Sequence, residues 1–154
     1  MAKSSVDVIA DAHFLPFRSG VFDKVLSYTV LEHSPNPLNF LKEQHRVLKK
    51  NGKLVVETDN AQYFGWSVLG GRVGGREHAD ILEDHCAIFF PENVHRLLNL
   101  AGFRITEFTY LNECTSKIGR SVATFLVRTG FWRQACLYMR FRFNAKRSQG
   151  ALAN

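Results

Sequence analysis

The hydrophobic pattern along the first third of the chain predicts two strands, a helix and a third strand. Residues 6–10 and residues 22–27 are short runs rich in β-branched and apolar residues, which is typical of strands. Beyond Pro37, apolar residues recur every three to four positions, which predicts a helix that stops at Asn51. Residues 53–58 then predict the third strand.

The pattern of the second half predicts a further helix and two more strands. Pro91 begins a helix with one apolar face, and Gly102 ends it. Residues 103–111 alternate between apolar and polar side chains, and residues 121–127 form another apolar run, so both predict strands joined as a hairpin. The whole order predicts an α/β fold of about five strands, mostly parallel, with a C-terminal antiparallel hairpin.

Charge separates the end of the chain from its body. The net charge is +6, yet the residues up to Glu113 hold 12 Lys and Arg against 14 Asp and Glu, and the residues after it hold 8 Lys and Arg and no acid. We therefore predict a domain over residues 1–128 and a basic aromatic tail over residues 129–154. A basic segment attracts phosphates, whether of a lipid surface or of nucleic acid.

The tail also carries apolar residues at helical spacing. A helix there would place four of them on one stripe: Trp132, Cys136, Met139 and Phe143. One prediction is therefore a peripheral membrane contact through residues 131–147, and the alternatives are that the stripe packs on its own domain or that the tail is a solvated end that keeps the protein soluble. The tail matches no nucleic-acid-binding module, so no specific nucleic acid is predicted.

Several classes of protein are disfavoured by what the chain does not contain. No apolar run approaches the roughly 18 residues of a membrane-spanning helix, and the start lacks the apolar stretch of a signal peptide, so a cytoplasmic location is expected. The three cysteines are isolated. Asp80, Asp84, His85 and Cys86 do not have the spacing of metal ligands, and no metal site is predicted.

Four segments together carry a family resemblance. They read DAHFLPF at residues 11–17, FDKV at 22–25, VLEH at 30–33 and RVLKKNG at 46–52. This combination resembles the class I S-adenosylmethionine-dependent methyltransferases of the small-molecule type 11 kind. The resemblance implies a Rossmann-like sheet that binds S-adenosylmethionine across the carboxyl ends of its strands.

The resemblance also implies four cofactor contacts. Asp11 would accept a hydrogen bond from the adenine amino group, and Ala12 would offer its backbone N–H to a ring nitrogen. Tyr28 would lie near the methionine portion, although many relatives carry a small residue where Tyr28 stands, and Leu31 is the fourth predicted cofactor contact. The alternative for Asp11 is a turn-forming residue before a loop.

On the acceptor side, the resemblance points to Glu32 and His33. Relatives place this pair where the acceptor meets the methyl group, and His33 could be the general base because imidazole titrates near neutrality. The alternative is that both residues only cap the next helix. Arg72, Arg76 and His85 lie in the region that covers a small-molecule acceptor in relatives, where they could bind an acidic one or belong to a solvated loop.

The first part of the resembled site is not found in this sequence. The family begins with a strand, a Gly-x-Gly loop and a further strand that ends in an acidic residue, and here ten residues precede Asp11. We therefore expect an incomplete cofactor site, and activity of the chain alone stays uncertain. The runner-up is a non-catalytic binding subunit. A second protein chain could complete the sheet or the site, and residues 6–10 are expected to pair with residues 22–27 or with a partner's sheet edge.

Overall fold

The computed structural model describes residues 7–63, 85–113, 121, 124–125, 127–130 and 138–148. Within these ranges lie four strands, one 3-10 turn and two named helices. In chain order they are β1 (Phe22–Tyr28), the 3-10 turn (Leu31–His33), α1 (Pro37–Val47), β2 (Leu48–Asp59), α2 (Pro91–Leu100), β3 (Phe103–Glu113) and β4 (Tyr138–Arg147). No helix among the described residues is long and apolar enough to span a bilayer.

The four strands form one sheet in the order β1-β2-β4-β3. β1 runs parallel to β2, and β4 lies antiparallel to both of its neighbours, β2 and β3. The predicted α/β class is confirmed, and β3 does lie in an antiparallel pair, with β4 rather than with residues 121–127. Within the described residues the sheet has four strands rather than about five, and one of its three strand pairs is parallel rather than most of them. The last strand in sequence is therefore an inner strand of the sheet.

Both helices begin at a proline in the first turn, where the missing N–H costs nothing. The Asn36 side chain caps α1 by accepting a hydrogen bond from the Asn39 N–H at 3.1 Å. Phe90 cannot cap α2 with its side chain, and the Asn93 Oδ1 accepts instead from the Phe90 N–H at 3.3 Å. The two helices bury one face each against the sheet, with Phe40, Leu41, Val47, Val94 and Leu98 inside.

Alternation along the inner strands separates an apolar face from a charged one. Val56 of β2 faces the helices together with Phe141 and Phe143 of β4. On the opposite face, Glu57 accepts from the Arg142 Nη2 at 2.8 Å, and Asp59 from the Arg140 Nε at 3.0 Å. The arginines of the tail are thus paired with acids of the body.

β3 reaches its partner through a register shift between Ile105 and Glu107. The extra residue moves the apolar positions from odd to even numbers, so Ile105 and then Phe108 lie beside the apolar residues of β4. This explains why the alternation over residues 103–111 changes phase while the strand continues to Glu113.

Three sequence predictions about strands and tail are wrong. Residues 7–10 form no strand and are exposed, Ile9 to 95%, because no neighbouring described strand offers them a partner; residue 6 lies outside the described residues. The described part of 121–128 is helical rather than extended. Residues 138–143 belong to β4 and not to a helical stripe, since Phe143 is buried in the core; Trp132 and Cys136 lie outside the described residues.

β4 lies beyond the predicted boundary at residue 128. The division into residues 1–128 and 129–154 stays a prediction, with one inner strand of the sheet coming from the second part.

Candidate functional site

The carboxyl ends of the parallel strands β1 and β2 meet at one edge of the sheet, which is where open α/β sheets bind ligands. The chain leaves β1 through Thr29, whose N–H still bonds the Glu57 carbonyl at 2.9 Å and whose φ of 51° turns it sharply. The 3-10 turn follows at once and places Glu32 and His33 at this edge.

Glu32 is fully buried beneath the edge. Its Oε2 accepts a hydrogen bond from the Thr58 hydroxyl at 2.7 Å, and its carbonyl accepts from the Cys86 and Ala87 N–H groups at 2.8 and 3.1 Å. Burial raises the pKa of the Glu32 carboxyl, against its hydrogen bonds, and the nearby Asp59 charge adds to that rise. Among the described residues, its Oε1 has no hydrogen-bond partner.

Two histidines stand beside this carboxylate. The His33 and His85 rings meet edge to face with centroids 4.7 Å apart; His33 is exposed, whereas the His85 side chain is 8% exposed. The His85 Nε2 lies 4.0 Å from the Asp59 Oδ2. The Cys86 thiol donates to the His33 carbonyl at 3.3 Å. Residues before α2 therefore fold back onto the end of β1.

Asp11 forms a turn near this edge of the sheet. Its Oδ1 accepts from both the His13 N–H and the His13 Nδ1 at 2.8 Å, and these hydrogen bonds lower the pKa of the Asp11 carboxyl. The His13 Nε2 lies 2.7 Å from the Ser34 hydroxyl. If Nδ1 donates to Asp11, then Nε2 accepts from Ser34. The turn alternative for Asp11 is realised, yet 58% of its side chain stays exposed and can still meet a ligand.

The other predicted cofactor residues differ in what they can offer. Ala12 is half-buried against the core. Tyr28 is 47% exposed, with the Arg142 guanidinium 5.8 Å from its ring centroid. The Leu31 side chain is fully buried in the core, so a contact from this residue would have to come from its backbone.

On the acceptor side, the structure brings Glu32, His33 and His85 together, although the last is distant in sequence. Arg72 and Arg76 lie outside the described residues. Sequence reasoning missed Thr58, which donates a hydrogen bond to Glu32, and Asp59, which faces His85. A signal was available, because polar residues at the carboxyl end of a buried apolar strand lie at the ligand-binding edge of a parallel sheet.

The Leu15–Phe17 loop that follows the Asp11 turn is held by one arginine of α1. The Arg46 guanidinium donates to the Leu15 and Phe17 carbonyls at 2.9 and 2.8 Å and makes a bidentate pair with Glu43. The Glu43 Oε2 also accepts from the Leu15 N–H at 3.0 Å. This pair explains why the RVLKKNG segment matters structurally: it fixes the loop on the helix.

We expect Arg46→Ala to cost about 1–3 kcal/mol of unfolding free energy, because partly buried carbonyls lose a charged donor. Arg46→Lys should recover only part of it, since lysine cannot form the bidentate pair. Urea unfolding measures both. Lys49→Ala is the matched control: its ion pair with Asp23 is exposed, so about 0.5 kcal/mol or less is expected. Equal losses at positions 46 and 49 would contradict this role.

Comparison with known proteins shows similarity to methyltransferases over part of the chain. Residues 2–56 match the model of a methyltransferase domain. The chain is 31% identical over 83 residues to a ubiquinone biosynthesis O-methyltransferase of Ruegeria pomeroyi, covering 53% of this chain and 34% of that protein. It is 43% identical over 49 residues to an uncharacterized protein of Methanocaldococcus jannaschii, covering 32% and 24%. The matches thus span about a quarter to a third of these curated relatives.

Solved structures share the fold. A SAM-dependent methyltransferase from Archaeoglobus fulgidus superposes with a TM-score of 0.64 at 19% identity, covering 90% of this chain and 66% of that one. A chain of the complex between the Haloferax volcanii Trm112 methyltransferase activator and a methyltransferase gives a TM-score of 0.63 at 15% identity, covering 95% and 65%. Residues 2–56 are thus similar to a methyltransferase domain, and the fold of the chain is similar to that of solved SAM-dependent methyltransferases.

Proposed function

We propose that this chain forms the adenine side and the acceptor side of a site for methyl transfer from S-adenosylmethionine to a small molecule. The observation that carries the proposal is the hydrogen-bonded series Asp11–His13–Ser34, because it holds the exposed Asp11 carboxylate next to the turn that bears Glu32 and His33. A ligand that reaches from one to the other lies across the carboxyl ends of the strands.

The residues present fit the adenine end of the cofactor. The Asp11 carboxylate uses Oδ1 for His13, and the part of its side chain that is exposed can accept from an exocyclic amine. The cofactor supplies an electrophilic methyl group on a sulfonium. Displacement at that carbon needs little help for the leaving group, so the chain contributes mainly by positioning the acceptor.

A hydroxyl or amine acceptor must also lose a proton. The His33 imidazole is exposed at the edge and can take it as general base, while Glu32 is buried behind it. Arg72 and Arg76 stay predictions for binding an acidic acceptor. The His85 Nε2 faces the Asp59 carboxylate instead, so this nitrogen is less available to an acidic acceptor.

We further propose that these 154 residues alone bind the cofactor weakly, because no Gly-x-Gly loop and no ribose-binding acid precede Asp11. Calorimetry with S-adenosylhomocysteine is expected to give a Kd well above the micromolar range. Micromolar binding by the chain alone would overturn the incomplete-site proposal while leaving methyl transfer open.

The adenine-side assignment has its own test. In a ¹H–¹⁵N spectrum at millimolar S-adenosylhomocysteine, we expect the amides of Ala12 and Ser34 to shift, and Asp11→Ala to abolish the shifts. The control is Asp23→Asn, which alters an exposed acid at the start of β1 that pairs with Lys49. Shifts that survive Asp11→Ala would contradict a role for this carboxylate.

A second candidate is a non-catalytic subunit, and the position of β1 favours it. β1 is an edge strand of the described sheet, with Leu26 and Tyr28 about half exposed on it. Such an edge can accept a strand from another chain. One structural neighbour is itself part of a complex with an activator. Light scattering of the chain alone and with a candidate partner separates the two functions.

A further inference from the structure

The carboxylate and the two histidines at the edge form a cluster that the proposed function does not fully use. Glu32, His33 and His85 each offer one ligand atom, and these three atoms lie within 4.8 Å of one another. We propose that they bind a divalent first-row transition cation, for which Zn²⁺ is the probe. This inference stands apart from the proposed function, since the cation would bind with no cofactor present, and a His33 that holds the cation does not act as the general base at the same time.

Two buried polar atoms support the assignment. Among the described residues, the Glu32 Oε1 and the His85 Nδ1 make no hydrogen bond, although Glu32 is fully buried and the His85 side chain is 8% exposed. Buried polar atoms are nearly always paired, because an unpaired one has lost its hydrogen bonds to water and gained none in return. A cation between them satisfies both atoms at once.

The neighbours of the cluster are those that orient metal ligands. The Thr58 hydroxyl donates to the Glu32 Oε2 and leaves Oε1 for a cation. The His85 Nε2 faces the Asp59 carboxylate at 4.0 Å, which favours the tautomer with its proton on Nε2 and its lone pair on Nδ1. Arg140 in turn holds Asp59 at 3.0 Å. A carboxylate behind a ligating histidine is a common second shell.

The donor set selects the kind of cation. One carboxylate oxygen and two imidazole nitrogens suit Zn²⁺ and its neighbours, whereas Mg²⁺ prefers oxygen ligands alone. Ligands about 2.0–2.1 Å from zinc lie roughly 3.3 Å apart in a tetrahedron, so modest side-chain rotations must close the present spacing. Three protein ligands leave a position open on the exposed side of His33, where the oxygen of a small acceptor could coordinate.

Calorimetry with ZnCl₂ on the chelator-treated full chain tests the proposal. We expect one Zn²⁺ per chain, no displacement by equimolar Mg²⁺, and at least a tenfold weaker affinity in His33→Gln and in His85→Gln. His33→Gln is the safer variant because His33 is exposed, and circular dichroism shows whether each variant folds. A folded Glu32→Gln variant should also bind Zn²⁺ at least tenfold more weakly.

Two matched controls exclude other zinc ligands. His95→Gln alters an exposed histidine of α2 that bonds Asn99, and Cys86→Ser removes the exposed thiol beside the cluster. Both should bind zinc as the unmodified chain does. The proposal is overturned if the unmodified chain binds no zinc, or if His33→Gln and His85→Gln bind it undiminished. Loss of methyl transfer alone would bear on the proposed function and not on this site.

Discussion

Replacing Phe141 by alanine is expected to lower the free energy of unfolding by about 3–5 kcal/mol. Phe141 is fully buried at the middle of β4, with the Phe108 and Phe143 rings 6.1 and 5.8 Å away. A domain of ordinary stability has only about 5–15 kcal/mol in total. The variant should therefore be close to unfolding at 37 °C.

Chemical denaturation followed by circular dichroism measures the loss. Phe14→Ala is the matched control, because Phe14 is 75% exposed and should change stability by about 0.5 kcal/mol or less. Similar losses of unfolding free energy for the two variants would contradict an inner strand over residues 138–147.

Gly102→Ala is expected to cost roughly 2 kcal/mol, the next largest effect. Gly102 ends α2 with a φ of 89°, and an added Cβ would lie 3.0 Å from the His45 Nε2. The cost thus has two parts, the left-handed backbone and the contact with His45. Burial lowers the pKa of His45, so at pH 7 the imidazole is neutral and charge does not complicate the comparison.

Two further variants separate these parts. Gly20→Ala has a similar φ of 73° but meets nothing within 4 Å, so it should show only the backbone cost of about 1 kcal/mol. The double variant Gly102→Ala with His45→Ala should be less destabilised than the two single effects added together. Equal losses for Gly20→Ala and Gly102→Ala would show that His45 moves aside freely.

Periodicity predicted the elements that follow from local sequence. α2, β1 and β3 lie where the pattern of apolar residues put them, whereas α1 ends at Val47, before the predicted stop at Asn51, and β2 begins at Leu48. Asn51 has a positive φ of 63°, which asparagine tolerates. These features depend on neighbours in sequence, which is why one sequence suffices to find them.

The failures have physical causes beyond local sequence. Residues 138–147 do alternate, with Phe141, Phe143 and Ala145 on one face, but the spacing of the apolar residues from Trp132 to Phe143 suggested a helix. Only the fold shows that Glu57 and Asp59 neutralise them. Residues 7–10 have strand-like composition, yet a strand needs a neighbour, and composition does not supply one.

The site was predicted in the same uneven way. Glu32 and His33 lie at the edge as expected, because the resemblance fixes the residues that follow β1. The contact of His85 with Asp59 joins chain segments far apart in sequence, and so does the burial that leaves the Glu32 Oε1 without a hydrogen bond in the described part of the chain. No spacing rule for metal ligands covers residues that only the folded chain brings together.

The place of β4 between β2 and β3 also governs the order in which the protein can fold. Lys53 of β2 pairs with Lys146 of β4, and Asp59 pairs with Arg140. β2 therefore completes its pairing only after β4, which is synthesised much later, has left the ribosome. Pairings so distant in sequence slow folding, because the entropy of closing the intervening loop is lost before the stabilising contacts form. During synthesis, β2 keeps an unpaired edge and exposed apolar residues at 54–56 until β4 has been made. An unpaired edge with exposed apolar surface makes the nascent chain prone to aggregation.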